Sequence, residues 1–308
     1  MSLQDDFQGH IQRYATRQFD WNAFPSNAGY PELARAQMRM IGSGGSPKSS
    51  DTTTLRPEHF TMSLIYKEPG KFAACHAHEI EEAFFILSGV LTVGWELEGE
   101  VVEVALGPKD MILNARDIAH GFRNSGIEPV MLSVMVGAGK PLPPRYLYHP
   151  KDTSAELAAA FGAQPGHTHL LTSADELPLR ELMARNVIRY DNQKTHWLPA
   201  GFGRKIYVGE GGVKATTVRK EMFLIPPFVG VRPYCREVEE AFLVLEGHIT
   251  VGWEEDGICV EQQIGPRDVI LTPAGRRHYF RNNELTPVTL LCVIGTAQPD
   301  DIQFEAQS

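Results

Sequence analysis

The sequence is short of cysteine, of long apolar runs and of basic charge, and each shortage removes a class of function. Its four cysteines, Cys75, Cys235, Cys259 and Cys292, show no C-x-x-C spacing, and a chain of 308 residues needs no disulfide staples, so all four are expected as free thiols. No run of eighteen apolar residues exists, and Met1 to Asp6 has neither a basic n-region nor an apolar h-region. A soluble, cytoplasmic protein with no membrane partner is therefore expected. The formal net charge is −9 without long basic tracts. Such a surface repels a phosphate backbone, so nucleic acid is not an expected partner. What the chain does have is 43% hydrophobic and 22% charged residues, enough apolar mass for one or two cores.

The strongest internal signal is a duplication. The stretch from Glu81 to Asn124 aligns without a gap to the stretch from Glu239 to Asn282, at a constant offset of 158 residues, with more than half the paired positions identical. Thr92-Val93-Gly94-Trp95-Glu96 repeats as Thr250-Val251-Gly252-Trp253-Glu254, and Gly107-Pro108 with Asp110 repeats as Gly265-Pro266 with Asp268. A fainter echo lies upstream, between Met40–Gly45 and Val208–Gly212. Two long copies make a pair of domains, not a solenoid.

Each copy reads as short strands of aromatic and β-branched residues, such as Ala83 to Leu87 and Val90 to Trp95, separated by turns such as Ser88-Gly89 and Glu98-Gly99. This texture predicts an all-β fold of sandwich or barrel type. Between the copies, from about Pro141 to Arg185, Pro-rich coil gives way to two short helix candidates, with Thr153-x-x-Glu156 and Ser173-x-x-Glu176 as their opening capping boxes.

The chemistry-bearing residues cluster in the first copy. His76-Ala77-His78 lies in a predicted strand, whose period-two alternation turns both imidazoles to one face. Glu82 follows closely, and His120 comes later in the same copy, where a sheet closing on itself would bring it opposite the first pair. Three imidazoles and one carboxylate suit Fe(II), Mn(II), Ni(II), Zn(II) or Cu(II), and leave coordination positions open. Phe84, Ile86 and Phe122 share the parity of their neighbouring ligands and are expected to line an apolar pocket beside the metal.

Gly70, His76-x-His78, Glu82 and Gly89 reproduce the first cupin motif, G-x5-H-x-H-x3-E-x6-G, at every fixed position. The second motif, G-x5-P-x-G-x2-H-x3-N, is met at His120 and Asn124, while Lys109, Ala115 and Asp117 replace its Gly, Pro and Gly. The chain thus resembles the cupin superfamily. The resemblance implies two tandem jelly-roll β-barrels joined by a short, partly helical connector, with His76, His78, Glu82 and His120 as ligands of one divalent metal per chain, natively iron, with Mn, Ni, Zn or Cu as alternatives. The expected domains are an N-terminal arm 1–35, barrel 1 at 36–145, a connector 146–185, barrel 2 at 186–298 and a tail 299–308.

The same offset maps His76 to Tyr234, His78 to Arg236, Glu82 to Glu240 and His120 to His278. A guanidinium repels a cation, so the second barrel is expected to have lost its metal, and Arg236 is expected to pair internally with Glu240. The residues left there suit a structural or interface role, or alternatively binding of a small anion or metal-free acid–base work. Several other features carry blander expectations. His167-Thr168-His169 lies in the connector without a third ligand, Trp95 and Trp253 recur as core aromatics, and alternation turns Cys75 away from His76.

Tandem cupins with one intact site include dioxygenases, oxalate-degrading enzymes and an aminohydrolase. The resemblance therefore implies a metal-dependent enzyme, read first as a dioxygenase on a small aromatic or diketone-like substrate. The alternatives are a non-redox isomerase, decarboxylase or hydrolase, and a non-catalytic metal-containing binding protein. No general acid or base is identifiable in the first barrel, since Glu82 is a ligand and Glu79 and Glu81 are expected to face solvent. Relatives that assemble through barrel faces imply a possible homodimer.

Overall fold

The computed structural model describes residues 2–43, 51, 53–164, 168–170, 178–302 and 304, without the side chains of 168–170. The chain divides into two compact units: residues 19–52 with 60–192, and residues 1–18 with 53–59 and 193–308. The first holds the upstream copy of the repeat and the second the downstream copy. Among the described residues no helix is long and apolar enough to cross a membrane.

The first unit is built from two six-stranded sheets, each a separate open ladder, so the expected barrel takes the form of a two-sheet jelly roll. One sheet runs Val187–Ile188, Met111–Asn114, Glu82–Ser88, Val130–Val136, Thr61–Lys67 and Ala36–Ile41. The other runs Arg145–Tyr148, Phe72–Ala77, Ala119–Arg123, Leu91–Leu97, Glu100–Leu106 and Thr168–Leu170. Phe84, Ile86 and Leu132 from one sheet meet Val93, Trp95, Val104 and Phe122 from the other in a common core. Burial of such side chains contributes roughly 1.5–3 kcal/mol each, and it sets which strand parity faces inward.

The second unit repeats the plan with a seven-stranded and a four-stranded sheet. In both copies a two-residue turn with positive φ joins the central hairpin: Glu98 (53°) with Gly99 (86°), and Asp256 (51°) with Gly257 (76°). This is the twist that two-residue hairpins require.

A short arm closes one sheet of each unit. In the second unit Ile11 and Gln12 pair with Ile270 and Val269. Arg13 donates to Asp268 at 2.8 Å, and the Tyr14 amide donates to the same carboxylate at 2.9 Å. In the first unit Val187 and Ile188 pair with Ile112 and Met111. There Arg189 and the Tyr190 amide meet Asp110 at 2.6 and 3.1 Å. Asp110 and Asp268 also accept from the amides of Gly107 and Gly265, both at 3.0 Å, so the repeated Gly-Pro-x-Asp serves as an arm receptor.

The connector helix Ala155–Ala159 is capped by Ser154, whose hydroxyl accepts from the Leu157 amide at 3.2 Å. The cap therefore falls one residue after Thr153, because Ser154 holds the extended backbone that an N-cap needs (φ −70°, ψ 152°). Ser173, Glu176 and His167 lie outside the described residues, as does the side chain of His169.

Candidate metal centre

Neighbouring strands bring the four motif residues of the first copy together. His76 is the penultimate residue of the strand Phe72–Ala77 and stands in register with His120 on Ala119–Arg123. His78 follows just past that strand end, and Glu82 opens Glu82–Ser88 in the opposite sheet. One ligand atom from each of the four lies within 4.8 Å of the others, and all four residues are buried. The Nε2 atoms of His120, His78 and His76 stand 3.0, 3.7 and 3.9 Å from Glu82 Oε2. Donors about 2.1 Å from a shared ion stand roughly 3–4 Å apart, so this spacing fits a metal.

Backbone contacts orient two of the rings. His76 Nδ1 donates to Ala74 O at 2.8 Å, and His120 Nδ1 donates to Ile118 O at 2.9 Å. With the proton held at Nδ1, each Nε2 turns a lone pair toward an anionic oxygen, a juxtaposition that favours a cation between them. Burial, reinforced at His76 by the neighbouring imidazoles, lowers the pKa of both His76 and His78, which favours the neutral form a metal needs. Burial alone would raise Glu82, but the surrounding histidines outweigh it and hold the carboxyl at about 2.

The turn leading to His120 explains the departures from the second motif. Lys109 and Asp117 stand at φ 68° and 62°, the left-handed conformation that glycine adopts most easily. The Asp117 amide still donates to His78 O at 2.9 Å, as Gly275 donates to Arg236 O at 2.7 Å in the second copy. The turn survives the loss of its glycine.

A cavity of about 30 Å³ adjoins the four ligands, lined by Phe24, Arg35, Ile65, Phe84, Phe122, Val134 and Pro144 together with His76, His78 and Glu82. Phe84 and Phe122 pack edge-on at 5.1 Å between centroids. Ile86 lies in the same core but not on the cavity wall, being one inward position further along its strand than Phe84. Cys75 packs on the other face of its strand with Val101, Ala119, Phe161 and Ala163. Burial pushes its thiol far above the ordinary range.

Sequence reasoning missed Arg35. It is only 5% exposed, and its guanidinium lies 4.0 Å from the centroid of Phe24 and 5.7 Å from that of Phe122. Arg35, Gln37 and Arg39 alternate with Ala36, Met38 and Met40, which reads as a solvent-facing polar parity, yet the strand Ala36–Ile41 is buried on both faces. Phe24 came from a segment without strand or helix periodicity. It also borders a wider cleft of about 580 Å³ with Trp21, Tyr30 and Ala34.

The second copy brings its counterparts together as well. Tyr234 pairs in register with His278, their rings 4.2 Å apart. The expected ion pair is present, with Arg236 Nε donating to Glu240 Oε1 at 2.6 Å, and His278 Nε2 stands 3.1 Å from Glu240 Oε2. Burial opposes the Arg236 charge, but Glu240 outweighs it and raises the guanidinium pKa. Arg236 Nη1 also donates to Asp300 O, and Phe304 packs edge-on against Tyr234 at 5.9 Å.

Fold and centre together define a duplicated jelly-roll protein with a three-histidine, one-glutamate group in its N-terminal copy. Residues 64–137 and 221–294 each match the cupin domain. The chain belongs to the cupin superfamily, as a two-domain bicupin. Among solved structures it is similar to the oxalate decarboxylase of Lactobacillus farciminis in its formate complex, at 15% identity and TM-score 0.65, over 94% of this chain and 86% of that one. It is also similar to an oxalate decarboxylase variant of Bacillus subtilis, at 14% identity and TM-score 0.64, over 94% of this chain and 77% of that one. At these identities the likeness is one of fold. No curated protein matches the chain.

Proposed function

We propose that the first cupin domain is the active site of a metal-dependent enzyme acting on a small molecule through its oxygen atoms, with dioxygenase chemistry as the leading reading. The observation that carries it is the convergence of three imidazole nitrogens on Glu82 Oε2 at the edge of a carbon-walled cavity. Bound there, a divalent transition ion, iron in the leading reading, supplies a Lewis-acid and redox-capable centre with positions beyond the four protein donors.

The chain's own groups do the rest. Ala74 O and Ile118 O hold two ligand rings in orientation and fix their protons at Nδ1. Phe84, Phe122, Ile65 and Val134 present carbon to the reacting molecule and exclude water from it, as oxidative chemistry requires. Apart from the ligands, Arg35 is the charged member of the wall, and a guanidinium binds anions without exchanging protons.

A non-redox reading, decarboxylation above all, is favoured by Tyr146. Its ring lies 5.8 Å from that of His76, its hydroxyl accepts from Arg35, and it stands 2.9 Å from Ser26 Oγ. A phenol placed there can pass a proton, and the similar solved structures are named as oxalate decarboxylases.

Oxygen uptake separates the two. Full-length protein reconstituted anaerobically with Fe(II) is mixed with catechols, diketones, hydroxylated aromatic acids and 2-oxo acids. Oxygen consumed in step with product supports the dioxygenase. Turnover that proceeds at the same rate under argon moves the chemistry to the non-redox class, and reconstituted protein that retains no metal removes the site.

A further inference from the structure

We infer that the first domain contains a carboxylate-binding subsite built on Arg35, with Lys67 as its second cation, so that the molecule held beside the four-ligand group is a small organic acid. The inference rests on the metal-site reading for where the acid's other oxygen goes, but the subsite itself stands on residues outside the ligand set.

Both cations are deeply buried, Arg35 at 5% exposure and Lys67 at 0%. Arg35 Nη1 and Lys67 Nζ have no hydrogen-bond partner among the described residues. The two flank the same ring, with Lys67 Nζ 5.1 Å and the Arg35 guanidinium 5.7 Å from the centroid of Phe122, which itself lines the cavity. Lys67 is placed inward by register: on Thr61–Lys67 it shares parity with Ile65, a cavity-lining residue.

Two like charges buried together are costly, and a buried charge is ordinarily paired. Tyr146 takes one hydrogen bond from Arg35, and Glu82 attracts the guanidinium from within the ligand set. Neither contact reaches Nη1 or Lys67. Burial, with Arg35 and Lys71 adding repulsion, lowers the Lys67 pKa well below its ordinary value. The missing component is a small anion at the cavity, and a planar carboxylate matches the fork of a guanidinium. The phenyl walls of Phe84 and Phe122 suit a carbon body next to the charged end. This narrows the substrate class to acids bearing a second oxygen donor.

The test uses full-length protein, metal-free and loaded with Mn(II), titrated calorimetrically with pyruvate and with its neutral isostere pyruvamide. Metal content is measured in parallel for wild type, Arg35→Gln, Arg35→Lys and Lys67→Met. The expected result is that pyruvate binds loaded wild type about tenfold or more tightly than pyruvamide, as loss of a charged hydrogen-bond partner implies. Arg35→Gln is expected to abolish that preference at unchanged metal content, and Arg35→Lys to restore it in part. Lys67→Met removes a buried amine that has no hydrogen-bond partner among the described residues. It is expected to raise the unfolding midpoint while weakening pyruvate binding severalfold, a pairing of effects that a purely structural lysine does not produce. Equal binding of acid and amide by metal-loaded wild type, or an acid preference untouched in both Arg35→Gln and Lys67→Met, overturns the subsite and leaves the metal reading standing. An Arg35-dependent preference in protein that takes up no metal upholds the subsite and overturns the metal reading instead.

Discussion

The two domains share a fold, a hairpin turn, an arm receptor and a buried glutamate, and they differ at two side chains of one four-residue cluster. In the first, His76 and His78 leave Glu82 facing three imidazoles. In the second, Tyr234 and Arg236 stand in their places, and Arg236 bonds Glu240 at 2.6 Å. The scaffold therefore does not care what neutralises its glutamate, provided a positive charge arrives. In one copy the protein supplies that charge covalently, and in the other the chemistry of the donor set calls for an ion. The duplication separates what the fold needs from what the site needs.

Removing imidazoles from the first cluster gives the largest effect. His76→Ala with His120→Ala is expected to take metal content from about one per chain to near zero, by plasma emission spectrometry, with activity falling in step. The reciprocal exchange, Tyr234→His with Arg236→His, rebuilds the donor set in the second domain and is expected to raise the metal count of reconstituted protein toward two per chain. A count that stays at one would show that the second domain lost more than its ligands.

Arg236→Met leaves Glu240 buried beside His278 without its guanidinium. It is expected to cost about 3–5 kcal/mol in urea unfolding, whereas Arg236→Met with Glu240→Leu is expected to recover most of that. Asn114→Ala is next. Trp95 Nε1 donates to Asn114 Oδ1 at 2.8 Å, and stranding that buried N–H is expected to cost about 1–3 kcal/mol. At the equivalent place Trp253 Nε1 and Thr272 Oγ1 already lack hydrogen-bond partners among the described residues, so Thr272→Val is expected to change stability by less than about 0.5 kcal/mol.

The smallest effect is a slope with pH. Burial lowers His76 and His78 below the ordinary histidine value of 6.5. Below about pH 6.5 the unfolded chain therefore takes up protons that the folded, metal-free chain refuses. Metal-free stability is expected to fall as pH drops from 6.5 toward the depressed folded values, by about 1 kcal/mol per histidine over the first pH unit, and to be flat well above it. Urea midpoints between pH 8 and 5 measure this, and His76→Phe with His78→Leu is expected to shrink the slope. A slope unchanged in that variant would assign it to other groups.

The two domains also solve one packing problem from different places. A Cβ on Gly94 would lie 2.0 Å from the Phe161 ring, and one on Gly252 would lie 2.3 Å from the Tyr279 ring. The first domain fills the space over its glycine from the connector, where Gly121 leaves room. The second fills it from Tyr279, the counterpart of Gly121 in its own sheet. The identical Thr-Val-Gly-Trp-Glu segments gave no hint that different aromatics cover them, because the covering residue lies far away in sequence in one copy and not in the other.

Local pattern was enough for the duplication, the strand content, the four-residue cluster and its replacement by Tyr234 and Arg236. Those rest on spacing and on period-two alternation, which survive without knowledge of the whole fold. Tertiary structure alone decided three things. It assigned residues 1–18 to the unit of the second copy and 187–190 to that of the first, through strand pairing and arginine–aspartate bonds between segments far apart in sequence. It turned Arg35, whose alternation with Ala36 and Met38 reads as solvent-facing, toward Phe122 and the cavity, and brought Lys67 to the same ring. It also brought Phe84 and Phe122, from opposite sheets, together as walls of that cavity. Alternation says that two faces of a strand differ, but which of them meets the core depends on what the rest of the chain packs against each.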